Sequence, residues 1–314
     1  MADSSTTFIT NRDSTRTDPL AAGAASPDRL AYAIGTLLDA SDFEAEQTYH
    51  RGRLARAISY LHGVGTIAGL RVTWQPPVDA EHSDELHVDP GVAIDRVGRL
   101  VEVPRRACLR LERWFEAQTD TALIESFRNS FDFTPDDVTR DSDGNITDVE
   151  GGTAEVTLSG VVADVYLRFV ACERGKTPAI ATGPFDALDA VQPSRLRDGY
   201  ALELVPRRGT LDLPDPRFPL IDEADPADRA RALRDAALGA WREDQWTSRG
   251  LPAEAGQQAG QDPASLFLAR IVIPATRTGV ERPERTDAAE VRVDNHTRAF
   301  AYASDALARL VVEL

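Results

Sequence analysis

Residues 49–72, YHRGRLARAISYLHGVGTIAGLRV, decide how this chain folds, because within them a helix must stop and a strand begin. Leu54, Ile58 and Leu61 recur at helical spacing and form the expected packing face, with Arg51, Arg53 and Arg56 largely off it. Upstream, Ser41 and Glu44 stand at capping-box spacing, where a hydroxyl and a carboxylate satisfy free amides at a helix start, so the helix is expected from about Asp42 to His62. Gly63 suits the left-handed position that ends helices, since it has no side chain to clash at positive φ. TIAGLRVTW then reads as a strand.

Working outward, ELHVDPGVAIDRVGRLVEVPRRACLRLE holds several short strands. Pro90-Gly91 and Val97-Gly98 are turn signals, and Leu86, Val88, Val101 and Val103 alternate with period two. Strand signals return at AEVTLSGVVADVYLRFVACE, GYALELVP and SLFLARIVIP. The class expected is α+β: an N-terminal helical segment packed on an antiparallel sheet or small barrel, with loop and helical insertions. Four regions follow: a polar arm over 1–27, mobile or ordering only on a partner and dispensable to the fold; a helix plus small β domain over 28–112; an insertion with an acidic loop over 113–154; and a β-rich region over 155–314. The last contains a helical insertion at about 208–262, where Leu233, Ala237 and Trp241 fall four apart, and closes on a C-terminal helix.

The 314 residues carry 51 acidic against 35 basic side chains, a formal charge of -16, which repels phosphate backbones and argues against nucleic acid as a partner. Lys176 is the only lysine, a bias that a GC-rich coding sequence or a salt-rich cytoplasm would each produce. The two cysteines, Cys108 and Cys172, sit in apolar alternating stretches and are expected to be small buried hydrophobes. No apolar run reaches the length of a membrane span, and the first thirty residues lack the apolar core of a secretory signal, so assembly in the cytoplasm is expected.

No catalytic, cofactor or metal site is assigned. His50 and His62 are twelve positions apart on one helix, too far to share a metal, and His82, His87 and His296 add no ligand pattern. GVGTIAG lies between a helix and a strand, the reverse of the order in which a glycine loop cradles phosphate. Residues 139–150, TRDSDGNITDVE, align with a calcium loop: Asp141, Asp143 and Glu150 take liganding positions with the Asn145 carbonyl between. Thr139, however, occupies the first ligand position, and DGN is equally a hairpin turn. The plain acidic turn is the preferred reading.

LLDASDFEAEQTYHRGRLARAISYLHGVGTIAGLRV, LHVDPGVAIDRVGRLVEVP, VYLRFVACERGKTP, PSRLRDGYALEL, LFLARIVIP and VDNHTRAFAY occur in that order from Leu37 to Tyr302. This series resembles a family of structural or accessory proteins encoded with contractile, phage-tail-like injection systems. On the first block the resemblance falls on Asp42, Phe43, Glu46, Gln47, Tyr49, Arg53, Leu61, His62, Gly63, Gly69 and Leu70; on the second it falls on Pro90, Gly91, Ala93, Ile94, Asp95, Gly98 and Arg99. Thr66 to Ala68 depart from the valine or cysteine common in such proteins. The resemblance implies a non-enzymatic component of the baseplate or an attachment or anchoring element, with baseplate, spike, sheath or fibre proteins as partners.

The rival expectation is a surface-binding module for a carbohydrate or membrane-associated ligand, using Trp241 and Trp246 as a stacking platform; a hydrolase built on scattered carboxylates ranks below both. His62 and its neighbours thus read as a structural joint, with Leu61, Leu70 and Ile94 joining helix to sheet. Gly63→Val is expected to destabilise the fold by about 1 kcal/mol or more, which thermal denaturation measures directly.

Overall fold

The computed structural model describes residues 7–9, 15–20, 28–78, 83–133, 136–140, 146–151, 156–178, 191–211, 225–240, 251, 253, 257–286 and 289–302. The longest strand, β12 (Val156–Pro178), has β13 (Val191–Pro206) antiparallel on it and β14 (Leu266–Thr276) antiparallel at its beginning. Around this centre pair β9 (Phe127–Phe133), β16 (Arg292–Asp294) and β15 (Glu284–Arg285). Two three-stranded antiparallel sheets share its core. In one, β3 (Gly65–Gly69), β6 (Gly91–Ile94) and β7 (Leu100–Val103) lie in order; in the other, β4 (Val72–Gln75), β5 (Glu85–Val88) and β8 (Ala107–Arg110) do. The class is α+β, and the sheets stay open rather than closing into a barrel.

Period-two alternation explains why β12 is central. Val161, Ala163, Val165, Leu167, Phe169 and Ala171 face one continuous core, while Tyr166, Val170 and Cys172 face smaller clusters on the other side. A strand covered on both faces reads as an unbroken apolar run. The main core also takes in Leu70, Leu86, Val101, Leu202 and Leu268, so it spans the proposed boundary near residue 112. Residues 111–126 are part of this body: α2 (Leu111–Ala117) and α3 (Asp120–Ser126) bury Trp114 and Leu123, and the Trp114 indole donates to the Leu204 carbonyl at 2.8 Å.

Helix α1 (Ala40–His62) begins two residues earlier than expected. Asp39 is its N-cap, accepting from the Ser41 and Asp42 amides at 2.8 and 3.2 Å, while the Asp42 carboxylate accepts from the Asp39 amide at 3.0 Å. The capping box is therefore Asp39 with Asp42 rather than Ser41 with Glu44. At the other end Gly63 has φ 78° and ψ −155°, positive as expected but extended rather than left-handed helical, a region open essentially to glycine alone.

The packing face of α1 is the main departure from expectation. Its buried residues are Gly52, Ala55 and Ser59, whereas Leu54 is 62% and Leu61 78% exposed. The physical reason is the turn between β6 and β7. A Cβ on Gly98, whose φ is 90°, would lie 2.0 Å from the Ala55 carbonyl oxygen, so the helix approaches the turn backbone to backbone and only small side chains fit between. Helical periodicity registered the larger apolar stripe, which faces outward.

Cys172 is buried as expected but Cys108 is exposed, because on β8 the inward positions are Ala107 and Leu109. Residues 15–20 of the arm are ordered: β2 (Thr15–Arg16) pairs with β12, and Asp18 and Leu20 are buried. Farther up, β1 (Thr7–Ile9) pairs with β13. α4 (Pro226–Gly239) forms within the expected helical insertion, capped by Asp225, and buries no residue. The expected C-terminal helix lies outside the described residues.

Gly98→Ala is expected to destabilise the fold by about 2 kcal/mol or more, since the added methyl both overlaps the Ala55 carbonyl and meets a positive φ. Chemical denaturation of the variant against the parent measures it.

Candidate functional site

The joint under α1 is held by charge buried in small space. Asp95, fully buried in the β6–β7 turn, accepts from the Val97 and Arg99 amides at 3.0 and 2.9 Å and from Arg99 Nε at 2.7 Å. The second branch of Arg99 donates to Asp18 at 3.0 Å. Asp18 in turn receives both terminal nitrogens of Arg51 from α1, at 3.2 and 3.0 Å. The Arg99 guanidinium lies 4.5 Å above the Phe169 ring centroid, and Arg96 donates to the Pro263 carbonyl. Arm, helix, turn and central strand are thus tied through two arginines and two carboxylates. Burial raises the pKa of Asp95 above the ordinary carboxylate value, while Arg99 beside it pulls the other way.

A second knot secures the end of the motif. Asn295 offers its side-chain amide to Val72 as a strand would, accepting from the Val72 amide at 2.8 Å and donating to its carbonyl at 3.0 Å. Arg298 donates to the Leu70 carbonyl at 2.7 Å. Leu70 adopts φ 59°, unfavourable for a leucine, and is held there by that bond, by its own amide on the Pro90 carbonyl at 3.3 Å, and by complete burial of its side chain. The segment 299–301 then runs beside β3, exchanging backbone bonds with Thr66 at 2.9 Å.

The structure gives the singled-out residues different environments. Leu70, Ala93, Ile94, Asp95 and Arg99 are buried in or beside the joint. On α1, Phe43, Gln47, Arg53, Leu61 and His62 are exposed, while Asp42, Glu46 and Tyr49 are half-buried. Leu61 accordingly does not share the core with Leu70 and Ile94, contrary to expectation, and His62 sits in the exposed last turn. Sequence reasoning missed Asp18, Asn295 and Arg298. Asp18 had no signal, being one acid in a polar arm, while Asn295 and Arg298 lie in the block VDNHTRAFAY, where Asp294 makes a turn by accepting from the His296 amide at 2.8 Å.

Among the described residues no group of three His, Cys, Asp or Glu side chains is arranged to hold a metal ion. The calcium alignment falls largely outside them. Asp141, Asp143 and Asn145 are not described, and Glu150 lies on β11 (Ile146–Gly151), which pairs antiparallel with β10 (Asp136–Arg140). The flanking elements are thus strands, as in a hairpin. Trp241 and Trp246 lie outside the described residues. Among those described, no helix is long and apolar enough to cross a membrane.

The chain matches no protein-family model and no curated protein.

Asp18→Ala is expected to cost about 3 kcal/mol, the usual scale for leaving a buried ionic partner uncompensated. Deleting residues 2–27 is expected to lower the melting temperature, because Asp18 and Leu20 leave with the arm. Calorimetric melts of both variants test this, and an unchanged transition in the deletion would show the arm to be dispensable.

Proposed function

We propose that this chain is a non-enzymatic structural subunit of a contractile, phage-tail-like injection particle, built in at or beside the baseplate or serving as an attachment element. The observation that carries the reading is the exposure of five of the eight helix residues on which the resemblance rests. Phe43, Gln47, Arg53, Leu61 and His62 face solvent, while the inward positions of α1 are the small residues Gly52, Ala55 and Ser59. Residues of catalysis gather in a concave site; residues of assembly are displayed on a rigid outer face.

The mechanical features agree. The helix is tied to the body by Arg51 on Asp18 and by the close approach of Ala55 and Ser59 to Gly98, which limits the ordering cost of docking. The blocks VYLRFVACERGKTP, PSRLRDGYALEL and LFLARIVIP are β12, β13 and β14, the strands that form the platform behind the joint.

Quantitative mass spectrometry of purified sheathed particles from the native producer tests the proposal. A fixed, small ratio of this chain to the sheath subunit is expected. Absence from intact particles would overturn it.

A further inference from the structure

The outer face of α1 carries a continuous seam. Phe43, Gln47, His50, Leu54, Ala57 and Leu61 follow one another at alternating steps of four and three, and all are exposed. Before the helix, Ile34 and Leu37 are also exposed, in a segment without helix or strand. That segment cannot cover its own helix. It is fixed by the Tyr32 hydroxyl on Glu46 and by Asp39 at the N-cap, whereas Leu61 lies about 22 Å farther along the axis than Glu46.

The charges flanking the seam are divided along its length. Glu44 and Glu46 border the first half, Arg51 and Arg53 the second. Laid antiparallel on a second copy with the two-fold axis between Thr48 and Tyr49, the seam brings Phe43 to Leu54 of the other molecule and Gln47 to its His50. In that same register Glu46 meets the other Arg53 at the flanking positions that set orientation in helix pairs, while Arg51 stays on Asp18 and Glu44 on Arg16 of their own chain. Leu61 passes the start of the opposing helix and arrives at Leu37 of the opposing arm. One register thus brings together the apolar side chains, the Glu46 and Arg53 pair and the arm.

We infer that α1 is a homotypic interface and that the chain forms an isologous, antiparallel dimer through it in this register. The inference takes from the preceding proposal only that the outer face of α1 is a contact surface, and it names the partner as a second copy of the chain. An isologous contact of this kind closes on itself and leaves the sheets on the opposite side for other subunits.

Light scattering coupled to size exclusion, on the purified full chain over a range of concentrations, is expected to give twice the chain mass. Leu54→Glu should convert it to monomer with an unchanged melt at low concentration, since Leu54 is exposed in the single chain. Arg53→Glu should weaken the dimer about tenfold, on the scale of a close charge pair at an interface, and adding Glu46→Arg should restore it. In a Cys108→Ser background, Phe43→Cys with Leu54→Cys should give a disulfide-linked dimer, a bond the single chain cannot make across eleven helical residues. A parent that stays monomeric, a dimer indifferent to Leu54→Glu, or Leu54→Cys alone cross-linking to itself while the Phe43 and Leu54 pair does not, would each overturn the inference. A monomer recovered in particles would refute this dimer and leave the particle reading standing. A dimer absent from particles would do the reverse.

Discussion

Helix α1 lies on the β6–β7 turn at a distance that only backbone and methyl-sized groups permit, and the rest of the joint follows from that approach. Gly98 has no room for a Cβ against the Ala55 carbonyl, and Gly52, Ala55 and Ser59 are the only residues of the helix that are buried. So small a contact removes little apolar area from water, and at about 25 cal/mol per Å² it cannot hold a long helix by itself. The deficit is met by charge. Asp95, Arg99, Asp18 and Arg51 link turn, arm and helix through hydrogen bonds near 3 Å, and buried carboxylates and guanidinia satisfied in this way fix one arrangement more than they add net stability. The arm belongs to the fold because Asp18 is the only described carboxylate that engages both arginines.

That division of labour leaves the helix inverted relative to an ordinary amphipathic one. A helix normally buries its large apolar residues and displays its small and charged ones. Here the inner contact is narrow and polar, so the large residues have nowhere to go but out. With sixteen excess negative charges the whole chain repels its own copies, and an interface on it needs a local region where the sign is mixed. α1 supplies one, acidic in its first half and arginine-bearing in its second.

The sequence disclosed some of this and concealed the rest for identifiable reasons. The helix, its glycine stop, the short strands after it and the three long strands were legible because their signals are local: a 3.6 or 2.0 period, a glycine at positive φ, a turn dipeptide. The orientation of α1 was not legible, since periodicity reports that a stripe exists and not which side the sheet occupies. Leu54 and Leu61 were assigned inward on the assumption that the largest apolar face is the buried one. Asp18, Asn295 and Arg298 act across 33 to 228 residues of chain, and no local pattern announces a contact of that range. Ser41 and Glu44 met the capping-box spacing, yet Asp39 won because its carboxylate reaches two amides of the first turn and its own amide finds Asp42.

The two knots also explain why the blocks of sequence are dispersed along the chain yet act together. Arg298 and Asn295 come from the far end, Arg298 holding Leu70 in a backbone conformation that leucine does not choose and Asn295 pairing with Val72, while Arg99 and Asp18 hold the turn on which the helix rests. Leu70 follows β3 directly and β3 follows Gly63, so the strained residue and the helix stop are the two ends of one short strand. A rotation of α1 that turned Leu54 inward would have to drive its side chain into the space where Gly98 and Ala55 touch. The outward stripe is therefore imposed by the packing beneath it and does not depend on what eventually covers it.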